Sequence, residues 1–192
     1  EASKSEKFYG GKFEKKFESK IKNFFNVKHA ITVNSWTSGI SIAVGSLDLE
    51  PGDEVLVSPW TMTATAAAIL HWNAIPVFVD ISIENFCIDP EKIEGKITNK
   101  TKAIIAVDIF GKSADISLIN KIAKKHKLRV ISDSAQAICA KYKGKYAGTI
   151  VDIGGYSLNY HKHIHTGEGG IIVTNNSHLA RRMQLLRNHA EA

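Results

Sequence analysis

The stretch SLNYHKHIHTGEGG, residues 157–170, sets a single lysine, Lys162, among small, polar and imidazole-bearing neighbours. A lysine amine becomes a nucleophile when desolvation or nearby positive charge favours its neutral form, and it then condenses with an aldehyde to an imine. The glycines that follow at 167, 169 and 170 let the backbone turn sharply beside it. Earlier in the chain, Asp133 ends the run VISD and is followed by Ser134, Ala135 and Gln136, the pattern of a buried strand reaching the rim of a sheet. A carboxylate in a partly dry place requires a cationic or N–H partner. A protonated ring nitrogen would be one. Taken singly, each residue has an ordinary alternative: a surface lysine for Lys162, and a helix N-cap or internal salt bridge for Asp133.

Two further segments bear on chemistry. In NSWTSG, residues 34–39, Ser35, Thr37 or Ser38 can cap a helix whose first N–H groups and dipole face an anion such as phosphate. On its own, this segment reads more simply as a cap without a ligand. Neither G-x-G-x-x-G nor G-x-x-x-x-G-K-[ST] occurs, which argues against nicotinamide dinucleotides and P-loop hydrolysis. His161, His163 and His165 would share one face of an extended segment, as metal ligands can, but no carboxylate or cysteine cluster accompanies them, so no metal is expected.

The elements that must position these residues alternate. The apolar spacing of Phe13, Phe17, Ile21, Phe24 and Phe25 predicts an amphipathic helix over 11–27 that packs on the domain. Strands are expected at 30–33, 54–58, 76–79, 103–107, 129–132, 152–157 and 170–174. Helices are expected at 37–47, 61–72, 90–93, 116–126 and 178–186. Uninterrupted apolar strands such as AIIAV (103–107) separated by helices imply a three-layer α/β/α fold with a mostly parallel sheet. In such sheets ligands bind beyond the carboxyl ends of the strands. That rule selects 34–38, 58–62, 108–112, 133–136 and the segment from Ser157 onward.

At 192 residues and 44% apolar content, the chain can bury one sizeable core. Its net charge of +6 comes mainly from lysines on helical patterns at 4–28 and 121–127, which read as solvated faces. No zinc-finger, zipper or RNP-type pattern accompanies them, so no nucleic acid partner is expected. Cys87 and Cys139 fit neither a zinc site nor a disulfide framework, and a cytoplasmic location follows as the expectation. No apolar run approaches the ~18 residues of a membrane span, and the first residues lack a signal-peptide core, so no membrane association is expected. The absence of an initiating Met, and of any closing element after the last helix, suggests a longer reading frame.

Considered jointly, the Thr-Ser helix start, Asp-x-x-Gln after a strand, and Ser-x-x-x-x-Lys followed by Gly-Glu-Gly-Gly resemble the DegT/DnrJ/EryC1/StrS family of pyridoxal-phosphate-dependent sugar aminotransferases, of fold type I. The likeness runs from about Phe8 to the C-terminus and includes PGDEV (51–55) and AIPVFVD (74–80). The resemblance implies pyridoxal 5'-phosphate as cofactor, with Lys162 as its covalent anchor and proton carrier. Asp133 is implied on the pyridine nitrogen, Gln136 on the ring hydroxyl, and Ser157, Thr37 and Ser38 on the phosphate. It implies an amino donor such as glutamate, a keto sugar carried on a nucleotide diphosphate, and a homodimer. Residues 1–28 then form a helical region packed on a cofactor-binding large domain, 29–192, and the family's small C-terminal domain is missing.

The chain departs from the family pattern at three places. Trp36 stands where the family usually has Gly, so the phosphate-binding turn is expected to differ. Met62, two residues after Trp60, stands where members place an aromatic ring to stack on the cofactor. SLNYHK replaces the common Ser-Phe-His-x-Thr-Lys, which suggests an unusual sugar. Relatives with histidine in place of the lysine catalyse dehydration, so Lys162 argues for transamination. A lyase or dehydratase of the same family, or a non-catalytic cofactor-binding regulatory homologue, is the alternative.

Overall fold

The computed structural model describes residues 11–190; residues 1–10 of the helical region expected over 1–28 lie outside them. Strands β1 (His29–Val33), β2 (Glu54–Val57), β3 (Ile75–Phe78), β4 (Thr101–Val107), β5 (Arg129–Asp133), β8 (Ile153–Ser157) and β9 (Gly170–Thr174) form one sheet, in the order β1-β9-β8-β5-β4-β2-β3. A separate hairpin joins β6 (Lys141–Tyr142) to β7 (Lys145–Tyr146). All pairings between β3 and β8 are parallel, and β9 runs antiparallel to both β8 and β1.

The period-2 alternation of the strands divides the core between two helical layers. Val55 and Val57 of β2, Ile105 of β4 and Ile131 of β5 face α2 (Trp36–Gly45), α3 (Thr63–Leu70) and α6 (Ser177–Arg187). The intervening Leu56, Ile104, Ala106 and Val130 face α4 (Pro90–Ile93) and α5 (Ile116–His126). A third cluster seats Phe25 of α1 (Lys12–Phe25) on Tyr156, Ile171 and Val173. The architecture is therefore the expected three-layer α/β/α sandwich.

Local differences from the expectation have local causes. Phe13 and Phe24 of α1 are about half exposed, so the apolar stripe is narrower than the sequence suggested. Phe24 instead stacks on Tyr146 of the hairpin, ring centroids 5.4 Å apart. That hairpin was not expected: its turn is Lys143-Gly144, both at positive φ, and each strand is only two residues long. Helix α3 begins at Thr63 rather than 61, because Met62 is extended and serves as the N-cap. Among the described residues no helix is long and apolar enough to cross a membrane.

The carboxyl ends of β1, β2, β4, β5 and β8 lie along one rim, where the antiparallel β9 begins. Gly170 of β9 pairs with both Val33 and Ser157, bringing the start of α2 beside the end of β8. A Cβ at Gly170 would lie 2.7 Å from the Trp36 backbone nitrogen, so only glycine admits this approach. At Gly155 of β8 a Cβ would fall 1.8 Å from the Trp36 ring. We expect Gly155→Ala to lower stability by about 3 kcal/mol in urea unfolding, as an overpacked core does. Gly95→Ala, where a Cβ would meet nothing within 4 Å, should change it by less than about 0.5 kcal/mol.

Candidate active site

Asp133 is the last residue of β5 and is 5% exposed. Its carboxylate points toward the α2 and α3 layer, whereas the flanking Ser132 and Ser134 point to the other face. The Trp36 indole donates from Nε1 to Asp133 Oδ1 at 2.7 Å, and the Ala135 N–H donates to the same oxygen at 3.2 Å. The Thr65 hydroxyl donates to Oδ2 at 2.8 Å. Burial pushes the Asp133 carboxyl above the usual aspartate range; the three donors, and the charge of Lys162, oppose that shift. No hydrogen-bonded cation neutralises Asp133 among the described residues: its three donors are neutral.

Asp133 forms part of the wall of a cleft of about 660 Å³ at the rim. Lys162, Gln136, Ser157, Thr37 and Met62 also line it. Of the cofactor-binding residues expected from the sequence, Ser38 alone does not. Its hydroxyl turns back to Asn34 and to the Ser35 carbonyl, while Ser35 Oγ caps α2 by accepting from the Ser38 N–H at 3.2 Å. The first turn of α2 is thus regular despite Trp36, and it opens on the cleft. Met62 is 66% exposed on the wall; Trp60 does not line it. Gln136 accepts from the Phe110 N–H at 2.9 Å, where Phe110 takes a positive φ of 54°.

Lys162 sits on the loop of residues 158–169 that joins β8 to β9. These neighbouring strands run antiparallel, so the loop leaves and re-enters the sheet at the same rim. The Leu158 N–H donates to the Gly169 carbonyl at 2.9 Å, and the Thr166 N–H to the Leu158 carbonyl at 3.0 Å, closing its base. Within it the Lys162 N–H donates to the Asn159 carbonyl at 2.9 Å, and Asn159 Oδ1 accepts from the His161 N–H at 3.1 Å. Asn159 Nδ2 donates to Glu168, which also lines the cleft. The His161 and Tyr160 rings are tilted by 36° to each other, centroids 3.8 Å apart. Among the described residues no group of three or more His, Cys, Asp or Glu could hold a metal ion.

Thr65, Asn159 and Glu168 are site residues that sequence reasoning missed, and Trp36 was marked only as a departure. A polar Thr on the buried side of the alanine-rich α3 was the available signal for Thr65. A second buried carboxylate, Asp108 at the end of β4, was placed at the rim by the sequence but does not line the cleft. It faces the α4 and α5 layer, accepting from Ser134 at 2.6 Å, Ser132 at 2.7 Å and the Ala114 N–H at 2.9 Å. Burial raises its pKa as well, against those donors.

The DegT/DnrJ/EryC1/StrS aminotransferase family model matches residues 1–192. The chain belongs to this family. It is similar to a GDP-perosamine synthase of Caulobacter vibrioides, 40% identical over 92% of this chain and 48% of that protein. Among solved structures it is similar to PseC of Helicobacter pylori, an aminotransferase involved in the biosynthesis of pseudoaminic acid. There the TM-score is 0.93 at 34% identity, over 98% of this chain and 51% of that one. It is also similar to an E. coli GDP-4-keto-6-deoxy-D-mannose-3-dehydratase with bound hydrated PLP, TM-score 0.89 at 29% identity, over 94% and 48%. The chain spans about half the length of the relatives it matches.

Thr65→Val tests the grip on Asp133, since it removes a donor while keeping the shape. A carboxyl whose folded pKa is raised makes stability fall as pH rises from its ordinary value to the raised one, because the folded state holds the extra proton. Losing the Thr65 donor raises that pKa further. The variant should therefore match the unaltered protein at low pH, where Asp133 is protonated in both. The gap should open to about 1.5–3 kcal/mol at neutral pH, read by urea unfolding across the range.

Proposed function

We propose that the chain is the cofactor-binding large domain of a pyridoxal-phosphate-dependent aminotransferase that moves an amino group, from glutamate, to a nucleotide-linked keto sugar. The observation that carries this reading is the buried Asp133 carboxylate, held only by neutral donors, set in the same cleft as Lys162 beside the N-terminus of α2. Those three features match the three ends of the cofactor. An acidic acceptor awaits a ring N–H, an amine awaits an aldehyde, and a helix start with two hydroxyl residues, Thr37 and Ser157, awaits a phosphate. The relatives named for activities on nucleotide-linked sugars support the substrate class.

Pyridoxal phosphate, when bound, supplies an electron sink conjugated to the substrate amine. Asp133 would accept from the ring N–H. Lys162 would anchor the cofactor through Nζ, and the same Nζ, when free, would serve as the proton carrier. Ser157 and Thr37, with the first turn of α2, would hold the phosphate, and Ser38 would shape that turn. Gln136 contacts the ring hydroxyl and Met62 packs on the ring face. The reading includes a cytoplasmic homodimer. It is supported by the free thiols of Cys87 and Cys139 and by the exposed Phe86 and Phe110 rings beside Gln136.

A second reading is favoured by His161, which lines the cleft together with Lys162, and by two structural relatives that are dehydratases. Product analysis separates the two. Borohydride should fix pyridoxal phosphate onto Lys162, read by peptide mass; in a separate, unreduced sample glutamate should give stoichiometric 2-oxoglutarate with loss of the aldehyde absorbance. Lys162→Ala should take no fixed cofactor and lower amine transfer by about 10³-fold. Glutamate consumption without an aminated sugar would favour dehydration. Bound cofactor that ignores glutamate would favour the regulatory alternative.

A further inference from the structure

Trp36 fills a seat built for it. Gly155 is the register partner of Asp133 across β5 and β8. Its bare Cα leaves the space into which the Trp36 ring settles: a Cβ there would fall 1.8 Å from Cζ3 and 2.0 Å from Cη2. Gly39, one turn along α2, leaves the neighbouring space, since its Cβ would fall 2.7 Å from Cε3. An indole lying over the lateral neighbour of Asp133 has one polar atom, Nε1, and it reaches Asp133 Oδ1 at 2.7 Å. Trp36 is 5% exposed, so this bond forms where water does not compete.

On the structure and on the function proposed above, we infer that Trp36 is a positioning residue for the reaction. Its indole N–H fixes the orientation of the Asp133 carboxylate and keeps it ionised, ready for a cationic ring N–H. The kind of donor matters. A lysine or arginine in that place would neutralise the carboxylate and compete with the ring for it. An indole N–H and the Thr65 hydroxyl are neutral, so they hold the two oxygens from α2 and α3 and leave the negative charge for the ligand. The charge of Lys162 also acts on Asp133, without a hydrogen bond to it. That lysine is itself to be taken up by the cofactor aldehyde, so after loading the neutral donors keep the carboxylate alone.

Trp36→Phe keeps a ring in the seat and deletes the donor. The variant should fold, as circular dichroism reads, and should still take borohydride-fixed cofactor on Lys162. The signal of cofactor labelled with ¹⁵N in the ring should move toward that of an unprotonated pyridine. The rate of amine loading by glutamate should fall about tenfold to a hundredfold, the equivalent of one hydrogen bond to a charge, with little change in KM. An unshifted ring nitrogen and an unchanged rate in folded Trp36→Phe would overturn the inference and leave Trp36 a packing residue. A second measurement covers a variant that does not fold. In the unaltered protein without cofactor, the Trp36 indole proton should resonate downfield of those of Trp60 and Trp72 and move upfield in Asp133→Asn. An indole proton indifferent to Asp133→Asn also overturns the inference. Failure of the unaltered protein to take fixed cofactor would instead remove the proposed function, while the indole measurement would still decide whether Trp36 governs Asp133.

Discussion

A carboxylate held out of water is the constraint on which the rest of this structure turns. Taking Asp133 into the protein costs several kcal/mol unless donors replace the lost water. The fold supplies them from three elements that are remote in sequence: α2, α3 and the turn after β5. Each donor is neutral. The charge is therefore held without being cancelled, which is the electrostatic condition for binding a protonated ring. The glycines of β8 belong to the same constraint, because Gly155 gives the Trp36 indole the space it needs beside the carboxylate.

The sheet topology then fixes what can meet that charge. Because β9 returns antiparallel to β8, the connection bearing Lys162 stays at the rim instead of crossing to the far side of the sheet. The same reversal sets Gly170 between Val33 and Ser157, so that the N-terminus of α2, the serine at the end of β8 and the lysine loop border one cleft. The order of strands is thus a statement about which groups share a ligand.

Much of this was legible in the sequence because the relevant signals are local. Short apolar runs between helical segments located the strands that carry Asp133 and Ser157, and the rim rule for parallel sheets selected their ends as the binding surface. Lys162, Asp133, Gln136, Ser157, Thr37 and Met62 all stand where that rule put them. What escaped was non-local. Trp36 and Thr65 acquire their roles through contacts across 97 and 68 residues, which no spacing in the chain announces. The direction of the Ser38 hydroxyl follows from a capping choice between Ser35 and Ser38 that the residue types left open. The β6–β7 hairpin was missed for the opposite reason: its strands are too short to show a period.

Asp108 and Asp133 close neighbouring strands, are both buried, and point to opposite faces of the sheet. Because side chains alternate, sliding β5 by a single residue would turn a serine toward the cleft and press Asp133 against the face where Asp108 already lies. Two desolvated acids would then share one pocket of hydroxyls. Mutual repulsion between them, once ionised, would add to the cost of exchanging apolar side chains between the two faces. An acid with no place in the cleft would thus disfavour the alignment that withdraws the other one from it.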